Sequence, residues 1–87
     1  MNDTFLLYQI PRHHYPKVLS ISNTDDKRNF VLNSEDVSEI TKDCINWLFE
    51  NCHDFDLKFK ILSNGSCGIL ADFSCQEEAM AFKLTWG

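Results

Sequence analysis

Residues 55–61 alternate strictly between apolar and polar side chains, and this run constrains the fold more than any other part of the chain. Phe-Asp-Leu-Lys-Phe-Lys-Ile is typical of a strand that is buried on one face. Asn64-Gly65 marks a tight turn, after which residues 67–73 return as a second strand. A three-residue loop is favoured, because a two-residue loop would turn Lys58 and Lys60 towards the apolar face. The sequence therefore predicts an antiparallel hairpin with one face to be covered.

A long amphipathic helix is predicted before this hairpin. Between residues 34 and 51 the apolar side chains recur with the helical period, and Glu35 and Asp36 fall in the first turn, where the helix dipole favours carboxylates. Asn33 or Ser34 is the expected cap. The predicted apolar face consists of Val37, Ile40, Thr41, Cys44, Ile45, Trp47, Leu48 and Cys52.

The segments before this helix are shorter. Residues 4–10 predict a first strand, which Pro11 ends, and residues 17–21 predict a second strand. Residues 22–29 are polar and predict a turn. Residues 30–32, Phe-Val-Leu, fit either a third short strand or the lead-in to the long helix.

At the other end of the chain, Ser74 and Glu77 form a capping-box pattern that opens a second helix over about residues 75–84. The order of strands, helix, hairpin and helix predicts a single α+β domain over residues 1–87. We expect an antiparallel sheet with two helices packed on one face. This would be a split β-α-β, ferredoxin-like variant whose last strand is reduced or missing.

The charge of the chain excludes two classes of partner. Thirteen carboxylates against eight Lys and Arg give a net charge of −5, with no basic stripe in the sequence. A protein of that sign repels phosphate groups, so direct binding to nucleic acid or to anionic lipid is not expected. No apolar stretch approaches the ~18–20 residues that span a bilayer, so no membrane is expected as a partner.

The cysteines and the start of the chain point to a reducing compartment. Met1-Asn2-Asp3-Thr4 lacks the basic start and apolar run of a secretory signal. Four cysteines could form two disulfides, but without an export signal we expect four reduced thiols in a cytoplasm.

Metal binding and catalysis are not expected. Cys44 and Cys52 would lie roughly 12 Å apart along a helix, too far for one tetrahedral ion, and Cys67 and Cys75 stand at opposite ends of a strand. The sequence contains no G-x-S-x-G, no H-E-x-x-H and no glycine-rich phosphate loop. The chain is therefore expected to have no metal, no cofactor and no enzymatic activity.

Two surfaces are candidates for binding a partner. Glu35, Glu39 and Asp43 recur every four residues, so on one helix they would line up about 6 Å apart, close to the spacing of phosphates along a nucleic-acid strand. The alternative is an ordinary solvated helix face. The second candidate is aromatic: His14 and Tyr15 lie in a predicted loop and Trp86 near the chain end, and Tyr and Trp often anchor interfaces. Trp86 could equally close the end of the sheet.

The C-terminal stretch resembles the tail of small proteins encoded by tailed bacteriophages. Residues 72–87 combine the end of a strand, an acidic helix start and the close Ala-x-x-Phe-Lys-Leu-x-Trp-Gly that runs from Ala79 to Gly87. The resemblance implies a phage-encoded protein made in the host bacterial cytoplasm. Small acidic proteins of this kind often resemble inhibitors or modulators of host enzymes and defence systems. The resemblance of residues 72–87 assigns no functional residue to this chain.

These observations predict a small phage-type accessory protein that binds and modulates, most often by inhibition, a host or phage protein. One alternative is an acidic nucleic-acid mimic that acts as an anti-defence inhibitor through Glu35, Glu39 and Asp43. Another is a small self-associating structural protein, a homodimer formed through an exposed sheet edge.

Overall fold

A computed structural model of the chain describes residues 3–10, 15–21 and 23–87. The helices and strands follow one another in the order β1 (Asp3–Ile10), α1 (Tyr15–Ser20), α2 (Thr24–Asn33), α3 (Glu39–Asn51), β2 (Phe55–Ile61), β3 (Cys67–Phe73) and α4 (Gln76–Trp86). The three strands form one antiparallel sheet in the order β1-β3-β2. The predicted α+β fold with an antiparallel sheet is confirmed, but the described residues form four helices where two were expected.

The β2–β3 hairpin has the predicted faces and the predicted loop. Leu57 stands opposite Ala71 and Phe59 opposite Ile69, so the apolar side chains of both strands share one face. The amide of Leu62 donates to the carbonyl of Ser66 at 2.7 Å, which leaves a three-residue loop between them. Gly65 in that loop has φ +88°, a left-handed conformation that favours glycine.

Strand β1 pairs with β3 on the side opposite to β2, and its predicted existence is confirmed. Phe5 stands opposite Ala71 and Ile10 opposite Cys67. The pairing register shifts between Leu6 and Tyr8, which is a bulge that places an extra residue in the strand. β1 and β2 are thus the two edge strands of the sheet.

The second strand predicted at residues 17–21 is wrong, because residues 15–20 form helix α1. A short apolar run does not distinguish a strand from a buried turn of helix. Pro16 lies in the first turn, where a proline costs a helix no hydrogen bond. Val18 is 1% exposed and Leu19 is 53% exposed, so only one side of α1 enters the core.

The polar turn predicted at residues 22–29 is also wrong, because most of it belongs to α2. The side chain of Asn23 caps this helix by accepting from the amide of Asp26 at 2.7 Å. Residues 30–32 complete α2, so the strand alternative for them is excluded. Val31 is the buried residue of this helix. Because a single side chain of α2 is buried, its apolar residues do not recur with the helical period, and the sequence does not reveal the helix.

Helix α3 begins at Glu39, five residues later than the predicted start at residue 34. Ser38 is its cap, since its Oγ accepts from the amide of Thr41 at 3.2 Å. Glu35 therefore lies before the helix. The predicted apolar face is mostly buried, but Ile40 is 72% exposed and does not belong to it.

Helix α4 confirms the second predicted helix and extends it to Trp86, so no strand follows it among the described residues. The capping box is wrong: Cys75 is the N-cap and makes no side-chain hydrogen bond to the helix. The amide of Ser74 donates to the carbonyl of Asp54 at 2.9 Å, which holds Ser74 in line with the strand.

One hydrophobic core joins a single face of the sheet to all four helices. Val18 of α1, Val31 of α2, Ile45 of α3 and Phe82 of α4 belong to it together with Phe73 of β3. On the opposite face of the sheet, Lys58 Nζ lies 2.9 Å from Asp72 Oδ2, and Leu6 stands opposite Leu70. None of the described helices is long and apolar enough to cross a membrane.

Candidate partner-binding groove

An apolar groove of about 290 Å³ opens beside the edge strand β1. Its walls come from three elements that are distant in sequence. β1 contributes Phe5, Leu6 and Leu7, α3 contributes Ile40, Thr41 and Cys44, and the end of α4 contributes Phe82, Trp86 and Gly87. We call this the β1 groove.

One wall of the β1 groove exposes a large apolar side chain, since Ile40 on α3 is 72% exposed. Leu6 on β1 is 48% exposed, but it stands opposite Leu70, so its side chain lies on the sheet face away from Phe5 and the helices. Single exposed apolar residues are common on soluble proteins, but apolar residues that converge on one concavity mark an interaction site more often than chance exposure does. The β1 groove is therefore the strongest candidate for binding another molecule.

Stacked aromatic rings form the base of the groove. The rings of Phe5 and Phe82 lie 5.1 Å apart, and Phe82 lies 5.5 Å from Phe73 of the central strand. The ammonium of Lys83 sits 5.4 Å from the ring centroid of Phe5, on the rim. Because Phe82 and Phe73 are buried in the core, this base is held in place by the same packing that stabilises the fold.

Trp86 closes one end of the groove. Its indole ring packs edge to face against Trp47 of α3 and is partly buried against the core. Its indole N–H is buried and meets no acceptor among the residues that the structure describes. An unpaired buried donor costs free energy, so an acceptor brought by a bound molecule would be favourable here. Trp86 thus combines the two predicted alternatives, since it packs on the core and also lines the candidate site.

The predicted acidic stripe does not form as a stripe on one helix. Glu39 and Asp43 lie one turn apart on α3, but Glu35 lies in the turn before it, because Ser38 caps the helix. Glu39 also lies 3.5 Å from Lys42 Nζ, which reduces its negative field. The prediction of three aligned carboxylates is wrong, and two remain on the outer side of α3.

The other two predicted partner-binding residues are described in part or not at all. His14 lies outside the described residues. Tyr15 is the first residue of α1, and its side chain lies outside the described part of the chain. Tyr15 thus belongs to a helix and not to the predicted loop, and the part of His14 and Tyr15 in binding stays a prediction.

The cysteines have the character of buried apolar groups. Cys44, Cys52 and Cys67 are buried, and all four cysteines are unpaired. Burial raises the pKa of the Cys44 thiol to about 11, and burial together with Glu78 and Cys75 raises that of Cys52 to about 11. Burial also raises the pKa of Cys67. Thiols held in the neutral form are weak nucleophiles and weak metal ligands.

A second, polar cavity of about 530 Å³ lies between α2 and the turn that precedes α3. Glu35 lines it, together with Asp26, Asn29, Phe30, Asn33, Ser34 and Asp36. The hydroxyl of Tyr8 donates to the Asp36 carbonyl at 2.9 Å and ties β1 to this turn. No cluster of three His, Cys, Asp or Glu within the described ranges has the arrangement needed to hold a metal ion.

Most residues of the β1 groove were missed by sequence reasoning. Phe5 and Phe82 carry the signal of ordinary core positions, and Ile40 carries that of a buried helix face. No pattern within a single helix or strand indicates that these residues meet at one edge of the sheet. No family model, no curated protein and no solved structure matches the chain.

Proposed function

We propose that this chain is a small protein-binding domain that modulates its partner by covering part of the partner's surface. The β1 groove carries this proposal: it is a concave apolar site beside an edge strand, with Ile40 exposed on one wall. Edge strands and apolar grooves are two surfaces that proteins use to recognise extended or helical segments of other proteins. Inhibition would follow when the covered surface is one that the partner needs.

The context of the proposal is that of a phage-encoded accessory protein acting on a host or phage protein in the bacterial cytoplasm. It is supported by the resemblance of residues 72–87 to phage protein tails and by the four unpaired cysteines. A non-enzymatic role is supported by thiols whose pKa is raised by burial, which disfavours cysteine chemistry.

The finer fold class is also a proposal. β1 and β2 are each antiparallel to β3, so they run in the same direction on either side of it. The helices α1, α2 and α3 connect them. This is the arrangement of a split β-α-β unit, and it supports a ferredoxin-like variant that lacks its last strand in the described residues.

Self-association is the second candidate function, favoured by the position of β1 at an edge of the sheet that the described residues form. Nucleic-acid mimicry has weaker support. Glu39 and Asp43 alone share a face of α3, and Lys42 lies beside Glu39. A mimic needs a longer uninterrupted row of negative charge to replace a phosphate backbone.

A pull-down with matched variants tests the proposed function. Tagged wild-type protein, Ile40→Ser and Leu84→Ser are incubated with bacterial lysate at low and moderate salt, and bound proteins are identified by mass. Both substitutions remove an exposed apolar side chain from a helix, but Ile40 lines the groove whereas Leu84 is 87% exposed elsewhere on α4.

We expect one partner that wild type and Leu84→Ser retain at moderate salt and that Ile40→Ser loses. A partner released equally from all three proteins by salt would favour charge-driven mimicry instead. An empty pull-down, with the protein dimeric by sedimentation, would replace the proposal with self-association.

A further inference from the structure

We infer that the partner contributes an extended segment that pairs with β1 as a fourth strand, its apolar side chains in the β1 groove and basic residues at its ends. The inference rests on the proposed function and specifies the chemistry of the partner. It follows from the topology of the sheet, from the difference between the two sheet edges, from the face on which the groove lies and from the charges on the elements that form it.

Among the described residues, no strand lies beside β1 on the side away from β3. β1 and β2 run in the same direction with β3 between them, and helices connect them. The hairpin continues through β3 into α4, so an equivalent unit would place the next strand parallel to β3 on the far side of β1. That position borders the β1 groove, where the end of α4 already forms a wall. An added strand there would run antiparallel to β1.

The two edges of the sheet differ in how they are covered. Along β2, Lys27 Nζ of α2 donates to the Leu57 carbonyl at 2.8 Å, and Thr24 Oγ1 donates to Asp56 at 2.8 Å. Helix α2 thus lies against the β2 edge and occupies part of its backbone. Within the described residues, β1 pairs with a strand on one side only. A row of edge N–H and C=O groups is a template for another strand.

The groove lies on the sheet face to which a strand paired with β1 would direct half of its side chains. A strand that pairs with β1 would present every second side chain to the same face as Phe5, above α3 and α4. The groove would then extend the core by one strand, with Ile40 covering the outer side.

The elements that form the groove also carry exposed carboxylates. Asp3 lies at the start of β1 and Asp43 on α3, while the ammonium of Lys83 is directed to the ring of Phe5. The whole chain carries a net charge of −5. Lysine or arginine at the ends of the added strand would therefore be attracted.

The same charges disfavour a second copy of this chain as the occupant. Its β1 would bring Asp3 and has no lysine or arginine within Asp3–Ile10. Two copies would also carry like net charges into the contact.

A selection from displayed random peptides of about ten residues, the length of a long strand, tests the inference. The probe is the library and then the most enriched peptide, made synthetically. We expect alternating apolar residues with lysine or arginine at the ends. Its affinity should fall about tenfold or more in Ile40→Ser, and stay within about twofold in Leu84→Ser.

Two further measurements on the full chain separate strand addition from other modes of binding. Amide hydrogen exchange within Phe5–Gln9 should slow when the peptide is bound, because edge amides gain partners. Asp43→Asn should weaken binding and reduce its salt dependence, whereas Glu50→Gln, an equal change at the far end of α3, should leave both unchanged.

The inference is overturned if no peptide is enriched, if enriched peptides lack strand alternation, or if exchange in β1 does not change. If the chain still captures a partner from lysate through Ile40 in any of these cases, the proposed function stands and only the strand is wrong. A concentration-dependent dimer that protects the β1 amides without any peptide would assign the edge to a second copy.

Discussion

The indole rings of Trp47 and Trp86 lie edge to face, with centroids 6.5 Å apart and planes inclined by 74°. This contact fixes the last turn of α4 against α3, and the same tryptophan forms the end wall of the β1 groove. Stability and the shape of the candidate site therefore depend on one side chain.

Trp86→Ala should destabilise the fold by about 2–3 kcal/mol, because a partly buried aromatic ring and one edge-to-face contact are lost. Urea denaturation followed by circular dichroism measures the change. Leu84→Ala on the same helix should cost less than about 0.5 kcal/mol, since Leu84 is 87% exposed. Equal effects of the two substitutions would show that α4 is held in some other way.

Glu78→Ala should cost about 1–3 kcal/mol, because the carboxylate accepts from two consecutive backbone amides. The amide of His53 donates to Glu78 Oε2 at 2.8 Å and the amide of Asp54 donates to Glu78 Oε1 at 2.9 Å. Both amides lie in the connection between α3 and β2. Glu77→Ala is the control, because Glu77 is the exposed neighbour that the sequence pattern assigns to a capping box. It should change the free energy of unfolding by less than about 0.5 kcal/mol. A larger loss from Glu77→Ala would restore the capping box.

Leu48→Ala should destabilise the protein by about 2–4 kcal/mol, whereas Ile40→Ala should be nearly neutral. Leu48 is 0% exposed and Ile40 is 72% exposed, although both fit the apolar period of the same helix. The free energies of unfolding of the two variants give the comparison. A cost above about 1 kcal/mol for Ile40→Ala would mean that this side chain is packed within the free protein.

Cys44 and Cys52 should react slowly with iodoacetamide in the native protein. A rise in pKa from the ordinary value of 9.0 to about 11 lowers the thiolate fraction about a hundredfold at neutral or mildly alkaline pH. Partly exposed Cys75 is the internal comparison and should be alkylated first. Mass spectrometry of peptides at timed intervals measures the order, and early modification of Cys44 would contradict its burial.

The same two thiols predict a loss of stability at alkaline pH. In the unfolded chain they lose their protons near the ordinary value, while the native state retains them up to about pH 11. Between pH 9 and 11 the native state therefore binds more protons than the unfolded chain, so the free energy of unfolding falls as pH rises through this range. Below pH 9 the stabilisation from the two neutral thiols is present in full. The fall in the urea midpoint should be smaller in Cys44→Ala/Cys52→Ala, and an unchanged slope would rule this contribution out.

Local patterns were enough for the elements whose burial is one-sided. The alternation over Phe55–Ile61 and the turn at Gly65 predicted the hairpin, its faces and its three-residue loop. The helical period over Thr41–Leu48 predicted the core side of α3. In each case the side chains that enter the core recur with the period of the backbone, so the sequence itself carries the signal.

The sequence failed where burial is slight or where the cap decides the boundary. α2 contributes one buried side chain, Val31, and its polar sequence resembles a turn. The start of α3 depends on whether Ser34 or Ser38 caps it, and both are good caps. This choice moved Glu35 off the helix and ended the predicted stripe of three carboxylates.

The sequence by itself determined the composition of this protein's surface and core, its hairpin and its amphipathic helices. Only the tertiary structure decided that Phe5, Ile40 and Trp86 meet in one groove beside the edge strand β1. Periodicity reports which side of one element is buried, but a groove arises from the packing of elements that are far apart in the chain. The difference between a buried apolar side chain and one that lines a binding site is set by how far the neighbouring elements extend over it.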